Sequence, residues 1–412
     1  MVNLVKKWTE SSLILRIAIF LVIGAILGVV LPKATVIAIF GKIFVGALKG
    51  VAPVLVFVLV SSALAKANMG IGGRFKTVIG LYMLSTFLAA FVAVIASKIF
   101  KVTMVLPGVE GIENTPPNGI GEVLGNLLTN MVTNPVTAIA NANYIGILFW
   151  AVLLGLAIRG FASQSTIQLF DDLANAVSTI VRWIIQCAPF GIMGLVFDAV
   201  STSGLAIFKD YGKLLILLVG CMLVMALIVV PLIVFIVLRK NPYKLVLKCL
   251  KESGITAFFT RSSAANIPVN MQLCKDLGLE EDFYSVSIPL GATINMDGAA
   301  ITITIMSLAT ANTLGINVDF PTALILSVLA TLGACGASGV AGGSLLLIPM
   351  ACSLFGVSND IAMQTVAVGF IIGVIQDSLE TALNSSGDVI FSATAEFYDR
   401  MKKGEKIDFY EN

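Results

Sequence analysis

Histidine is absent from all 412 residues. That excludes a histidine proton relay, a His-ligated metal site and a Ser-His-Asp triad. Charge is scarce as well. Asp, Glu, Lys and Arg make up 12% of the chain, against about a quarter in a soluble domain. No Lys/Arg block with interleaved aromatics is present and the net charge is only +2, so nothing points to nucleic acid. The six cysteines, Cys187, Cys221, Cys249, Cys274, Cys335 and Cys352, have no CxxC spacing and lie mostly in apolar runs, as free packing residues do. The Gly-rich stretch 333–343 is not followed by Gly-Lys-Ser/Thr, so it is no phosphate loop.

What is there is hydrophobicity, at 58% of residues, as expected for an all-α polytopic membrane protein. Apolar stretches of spanning length, roughly twenty residues, lie at 13–31, 40–64, 77–99, 143–160, 178–203 and 212–238. The first is too long for a signal-peptide core and reads as a retained span. Basic residues fall in every second loop: Lys6 and Lys7, then Lys66, Arg74 and Lys76, then Arg159, then Arg239 to Lys251. Lys209 and Lys213 are a mild exception. This bias puts the N-terminus in the cytoplasm, and the basic tail Arg400, Lys402, Lys403 and Lys406 returns the C-terminus to the same side. Loop 103–142 is external, with short interfacial helices expected around 119–133. Trp8 and Trp150 read as interface anchors or packing residues.

The informative features are polar residues at membrane depth. Tyr82, Ser85 and Thr86 share one helical face, although hydroxyls bonded to their own helix would give the same pattern. Gly291, Thr293, Asn295, Asp297 and Gly298 interrupt an otherwise apolar run. A carboxylate there is costly unless it serves an ion, a substrate or a partner charge, and a broken helix frees carbonyls that coordinate cations. A kink with a locally satisfied Asp is the alternative. Residues 243–275, with the tip Thr260 to Pro268, and residues 321–355, with the Gly-rich tip, each read as a re-entrant helical hairpin. Each precedes an apolar helix with a polar interruption, at 291–298 and at 377–388. The two units count out as inverted relative to one another, which points to a transporter's midplane site. In the last helix Asp377, Glu380, Thr381, Asn384 and Asp388 form one stripe at i, i+3, i+4, i+7 and i+11. Three carboxylates in one membrane helix require cations, and Arg261 can neutralise one of them.

Asn295-Met296-Asp297-Gly298, Arg261-Ser262-Ser263, the second Gly-rich tip and the 377–388 stripe together resemble the dicarboxylate/amino acid:cation (sodium) symporters, from the first span to about residue 395. Within that family the chain is most similar to the bacterial sodium-coupled carriers of serine and threonine. The resemblance implies eight transmembrane helices plus two re-entrant hairpins, a homotrimer in the bacterial cytoplasmic (inner) membrane, and an elevator mechanism. Its scaffold would comprise 1–74 and 103–205. The transport domain would comprise helix 3 (75–102), helix 6 (206–242), hairpin 1 (243–280), broken helix 7 (281–315), hairpin 2 (316–356) and helix 8 (357–396), followed by a tail at 397–412.

By matching positions, one Na⁺ site would use the backbone of Gly291 and Asn295 with Asn384 and Asp388. A second would use Thr293 and Met296 with carbonyls near Ala334, Cys335 and Ala337. A third would use Tyr82, Ser85, Thr86, Asn295 and Asp297. These hard oxygen donors suit a hard cation. Asp377 would hold the substrate's α-ammonium. Ser263, Asn384 and the amides around Ser338 and Gly339 would hold its α-carboxylate, with Ser262 and Thr381 completing the pocket.

Members that carry acidic amino acids have Arg where this chain has Glu380 and Thr where it has Ala299. An acidic substrate would meet Glu380 as a like charge, whereas a hydroxyl can donate to it. The expectation is therefore sodium-driven uptake of small neutral amino acids, serine and threonine first, through a lipid-embedded carrier that is not an enzyme. Glu380 pairing with Arg261 would instead leave specificity to pocket size. Proton coupling, acidic amino acid or dicarboxylate symport, a passive channel and an intramembrane aspartyl protease are the competing readings.

Overall fold

A computed structural model describes residues 12–66, 73–106, 120–335 and 342–405. Among these the regular structure is entirely helical. Helices α1 (Leu13–Val30), α2 (Ala38–Lys66) and α3 (Gly73–Ile99) come first. The short helices α4 (Ile120–Met131) and α5 (Pro135–Ala140) occupy the loop expected to carry interfacial helices. Then follow α6 (Tyr144–Phe161), α7 (Gln164–Gln186), α8 (Ala188–Ser203) and α9 (Ile207–Leu238). Polar caps set several starts: Ser12, Asn134, Asn143 and Ser163 each accept a first-turn N–H, satisfying a donor the helix itself cannot.

Among the described residues six helices are long and apolar enough to cross a membrane, or seven if the α7–α8 pair counts as one span. The chain is thus a multi-pass membrane protein. The expected single span at 178–203 is instead a helix that begins at Gln164 and bends by 55° between Gln186 and Ala188. Pro189 stands in the first turn after the bend, where its missing N–H and its ring prevent α7 from continuing. A comparable proline, Pro231, follows a π-turn at Met225–Val229 inside α9. There the Leu227 carbonyl, to which Pro231 has no N–H to offer, accepts the Tyr243 hydroxyl at 3.0 Å, and α9 runs on as one span.

The second half begins with α10, in which Tyr243–Cys249 runs through a π-turn at Leu250–Gly254 into Ile255–Thr260. Arg261, left-handed at φ 51°, turns the chain into α11 (Ser263–Asp276), capped by the Ser262 hydroxyl. The broken pair α12 (Glu281–Ile294) and α13 (Asp297–Thr313) follows. Then come α14 (Phe320–Ala334), a 3₁₀ turn at Ser344–Leu347 running into α15 (Ile348–Ser353), and α16 (Asn359–Lys402). One expectation is corrected here. The polar stretch 377–388 does not interrupt its helix: α16 is continuous over 44 residues. Its polar side chains bond to neighbouring elements while its backbone retains the helical ladder.

Packing divides the helices into two groups. α1, α2, α6, α7 and α8 pack on one another, whereas α3 and α9 to α16 assemble around α13 and α16. The second group is tied at one end by charge. Arg74 Nη1 donates to Glu280 Oε2 at 2.5 Å and lies over the Phe283 ring. The Glu280 N–H donates to both Glu396 oxygens at 3.0 and 3.1 Å.

Candidate functional site

Asn295 and Met296 leave helical geometry, with ψ of 84° and 50°, and so separate α12 from α13. Two of the freed N–H groups find partners across the core. Met296 N–H donates to Thr86 Oγ1 at 3.2 Å, and Gly298 N–H to Asn384 Oδ1 at 2.7 Å. Asp297 opens α13, where a carboxylate favours the positive end of the helix dipole. Its two oxygens accept the hydroxyls of Ser85 (2.5 Å) and Thr86 (3.1 Å). The hydroxyls of α3 therefore face the break, and the alternative in which they bond only within their own helix is set aside. Gly298 is required by proximity: a Cβ there would lie 2.7 Å from the Glu380 Cα, so only glycine lets α13 meet α16 this closely.

Asp388, on α16, is completely buried. Asn295 Nδ2 donates to its Oδ1 at 3.1 Å and to the Asn384 carbonyl at 2.9 Å. The other oxygen of Asp388 and the amide oxygen of Asn295 are both buried without a hydrogen-bond partner. Gly291 closes the same space, since a Cβ there would sit 2.8 Å from Asp388 Oδ1. A buried carboxylate oxygen with no donor costs several kcal/mol unless a cation compensates it. No Lys or Arg makes an ion pair with Asp388 or Asp297 among the described residues. The donor set is carboxylate, amide and carbonyl oxygen, which fits a hard cation and not a soft one.

About two and three turns earlier on α16 lie the other two carboxylates of the stripe, Glu380 and Asp377. Arg261, at the α10–α11 turn, donates from Nε to Asp377 Oδ2 at 2.6 Å, and the Gly342 N–H donates to Oδ1 at 3.1 Å. The guanidinium therefore joins Asp377 and leaves Glu380 to other partners, which sets aside the alternative in which Arg261 pairs with Glu380. The hydroxyls of Thr302 (2.7 Å) and Ser344 (2.9 Å) and the Gln376 amide (2.5 Å) all donate to Glu380 Oε2. The space between the Arg261–Asp377 pair and Ile17 and Ile192 of the first helix group is only about 10 Å³.

The structure brings the stripe Asp377, Glu380, Asn384 and Asp388 together with Asn295, Met296 and Asp297, and with Ser85 and Thr86. Asn384 also donates to the Met296 Sδ at 3.4 Å. Tyr82 sits deeper, its hydroxyl within 3.1 Å of the Ser287 and Asp388 carbonyls and 2.9 Å from Ser392 Oγ. It thus stands beside the Asp388 backbone instead of the Asp297 carboxylate. Three hydroxyls turn to backbone or cap their own helices: Thr293 to the Leu290 carbonyl, Thr381 to the Asp377 carbonyl, and Ser262 as the α11 cap. Ser263 is buried behind that cap. Ala334 is buried, and Cys335 Sγ approaches the Ile294 carbonyl at 3.5 Å, close to the helix break. Ala337, Ser338 and Gly339 lie outside the described residues.

Thr302, Ser344 and Gln376 were not legible as site residues. Gln376 stands four before Glu380 and so on the same face, which is the one signal that could have found it. A second missed cluster, Ser253, Asn266, Asn270 and Ser385, is fully buried and joins α10 and α11 to α16 through bonds of 2.5 to 3.0 Å.

Residues 13–396 match the sodium:dicarboxylate symporter family. The chain is 60% identical over 396 residues to the serine/threonine transporter SstT of Streptococcus agalactiae serotype III, covering 96% of this chain and 98% of that protein. It is 60% identical over 400 residues to SstT of Bifidobacterium adolescentis, covering 97% and 93%. Against SstT of Streptococcus thermophilus it is 58% identical over 396 residues, covering 96% and 98%.

Proposed function

This chain belongs to the sodium:dicarboxylate symporter family, and we propose that within it the protein imports L-serine and L-threonine by sodium-driven symport. The observation that carries the reading is the pair of orphaned oxygens on Asp388 and Asn295. Na⁺ there would compensate a buried negative charge that no cationic side chain among the described residues pairs with. Gly291, Asn384 and the Asn295 backbone would complete this ion's shell. A second ion would lie by Asp297, Ser85 and Thr86, with Tyr82 behind them. A third would use Thr293, Met296 and the carbonyls near Ala334, Cys335 and Ala337. Sodium is cargo here, bound and released in each cycle.

The substrate's ammonium would meet Asp377, a carboxylate already gripped by Arg261 and the Gly342 N–H. Its carboxylate would reach Ser263, Asn384 and the tip at Ser338 and Gly339, and its hydroxyl would reach Glu380. A second carboxylate on the substrate would face Glu380 as a like charge, which disfavours acidic amino acids. Sodium and substrate each raise the other's affinity by one common factor, and that linkage is the coupling.

Only about 10 Å³ separates the Arg261–Asp377 pair from Ile17 and Ile192, so a substrate entering between the two helix groups requires these elements to move apart. The two helix groups meet across a cleft of about 530 Å³ between α2 and α8 on one side and α9 and α16 on the other. That loose seam supports an elevator in which α3 and α9 to α16 slide against the remainder. Eight transmembrane helices, re-entrant hairpins formed by α10–α11 and α14–α15, cytoplasmic termini, a homotrimer and a bacterial inner membrane complete the proposal. The test is uptake of labelled serine in proteoliposomes against unlabelled competitors. Threonine should compete and aspartate should not, and competition by aspartate would defeat the assignment of Glu380.

A further inference from the structure

The environment of Glu380 is asymmetric. Three donors converge on Oε2: the Thr302 hydroxyl from α13, the Ser344 hydroxyl from the turn before α15, and the Gln376 amide one turn earlier on α16. No described residue donates to Oε1. Gln376 Nε2 also donates to Thr302 Oγ1 at 2.8 Å, so the two donors hold one another as well as the carboxylate. The Gln376 amide oxygen, meanwhile, is buried without a partner. Turning the amide over would set that oxygen against the carboxylate, so its orientation is dictated by Glu380 at the expense of its own acceptor. A glutamine serving only to fill space would have no reason to hold this orientation.

We infer that Gln376, Thr302 and Ser344 are the positioning residues of side-chain selection: they saturate one oxygen of Glu380 and leave the other as a single fixed acceptor for a substrate hydroxyl. This rests on the reading above that Glu380 receives that hydroxyl. A carboxylate free to rotate would offer either oxygen to water or to a neighbour. A carboxylate locked on one side presents one oxygen in a fixed position, which a serine or threonine hydroxyl can satisfy and an alanine methyl cannot. A site built to bond a hydroxyl discriminates against the analogue lacking it because its own acceptor is left unpaired. Ser344 belongs to the same segment as Gly342, whose N–H holds Asp377. One short segment thus helps to set both the ammonium and the hydroxyl ends of the pocket.

The experiment measures half-saturating concentrations of L-serine and L-alanine at fixed Na⁺ in reconstituted protein carrying Gln376→Leu, Thr302→Val, Ser344→Ala, Thr302→Ser or Glu380→Gln. Loss of a donor to a charged acceptor should narrow the alanine-to-serine ratio about ten- to a hundredfold. The change should fall on serine, and Thr302→Ser, which keeps the hydroxyl, should retain the wild-type ratio. Should one variant fail to fold, the other two donors carry the same test. A ratio that collapses in Glu380→Gln but stays at the wild-type value in every folded donor variant overturns the inference alone. Equal weakening of serine and alanine in the donor variants overturns it too, because that marks a structural role. A wild-type ratio in Glu380→Gln removes the underlying reading and this inference with it.

Discussion

Asp388→Asn is the substitution on which the sodium assignment depends most. The side chain keeps its size and its place beside Asn295, but the negative charge on a completely buried group is gone. A unit charge pair 4 Å apart interacts by about 4 kcal/mol at an effective dielectric constant near 20. The neighbouring neutral oxygens remain, so part of the loss is recovered. The Na⁺ concentration for half-maximal serine uptake should still rise by about a hundredfold or more. Stability separates this from simple damage. Without sodium, wild-type Asp388 carries an oxygen with no partner, so Asp388→Asn should melt no lower than wild type in K⁺. Wild type should gain about 2.7 kcal/mol when Na⁺ is raised to a hundred times its dissociation constant, and the variant should gain far less over that range. An unchanged sodium dependence of both uptake and melting would refute the reasoning.

Other perturbations probe neighbouring claims. Gly298→Ala would drive a methyl to within 2.7 Å of Glu380 Cα and should cost about 1 to 3 kcal/mol by overpacking; wild-type melting and uptake would contradict the close approach of α13 to α16. Arg261→Gln strands Asp377, whose side chain is 4% exposed, and should destabilise the substrate-free protein by about 3 to 5 kcal/mol. Because the ammonium then becomes that carboxylate's main counter-charge, serine should raise the variant's melting temperature more than it raises wild type's. Glu280 is held below the usual carboxylate range by its hydrogen bond from Arg74. Its contribution is therefore present at neutral pH and lost as pH falls through that lowered value. Since this carboxylate is 53% exposed, Glu280→Gln should cost under about 1 kcal/mol, and its melting difference from wild type should vanish in acid.

Much of the site was readable because membrane depth makes polar residues expensive. The spacing of Asp377, Glu380, Thr381, Asn384 and Asp388 placed them on one face, and the structure puts them there on an unbroken α16. The expected interruption of that helix failed for a physical reason. A polar side chain facing a cavity need not disturb the backbone ladder beneath it, whereas at the α12–α13 break the Met296 N–H passes to Thr86 of α3 and the Gly298 N–H to Asn384 of α16. Thr302 was hidden by its setting in a run of Ile and Thr, where a hydroxyl usually serves its own helix. The bend between α7 and α8 could have been read from Pro189, but apolar content carried across it and gave one span. The partner of Arg261 was decided by geometry: two carboxylates three residues apart on α16 are equivalent in sequence, and only the turn at φ 51° aims the guanidinium at Asp377.

The most direct measurement is the accumulation of labelled L-serine in proteoliposomes holding the purified protein, with outside-high Na⁺ compared with outside-high K⁺. Sodium-driven symport predicts that internal serine rises above the external concentration with Na⁺ and collapses when the gradient is dissipated, with no accumulation in K⁺. Serine entry that only equilibrates, whichever cation is present, would contradict it.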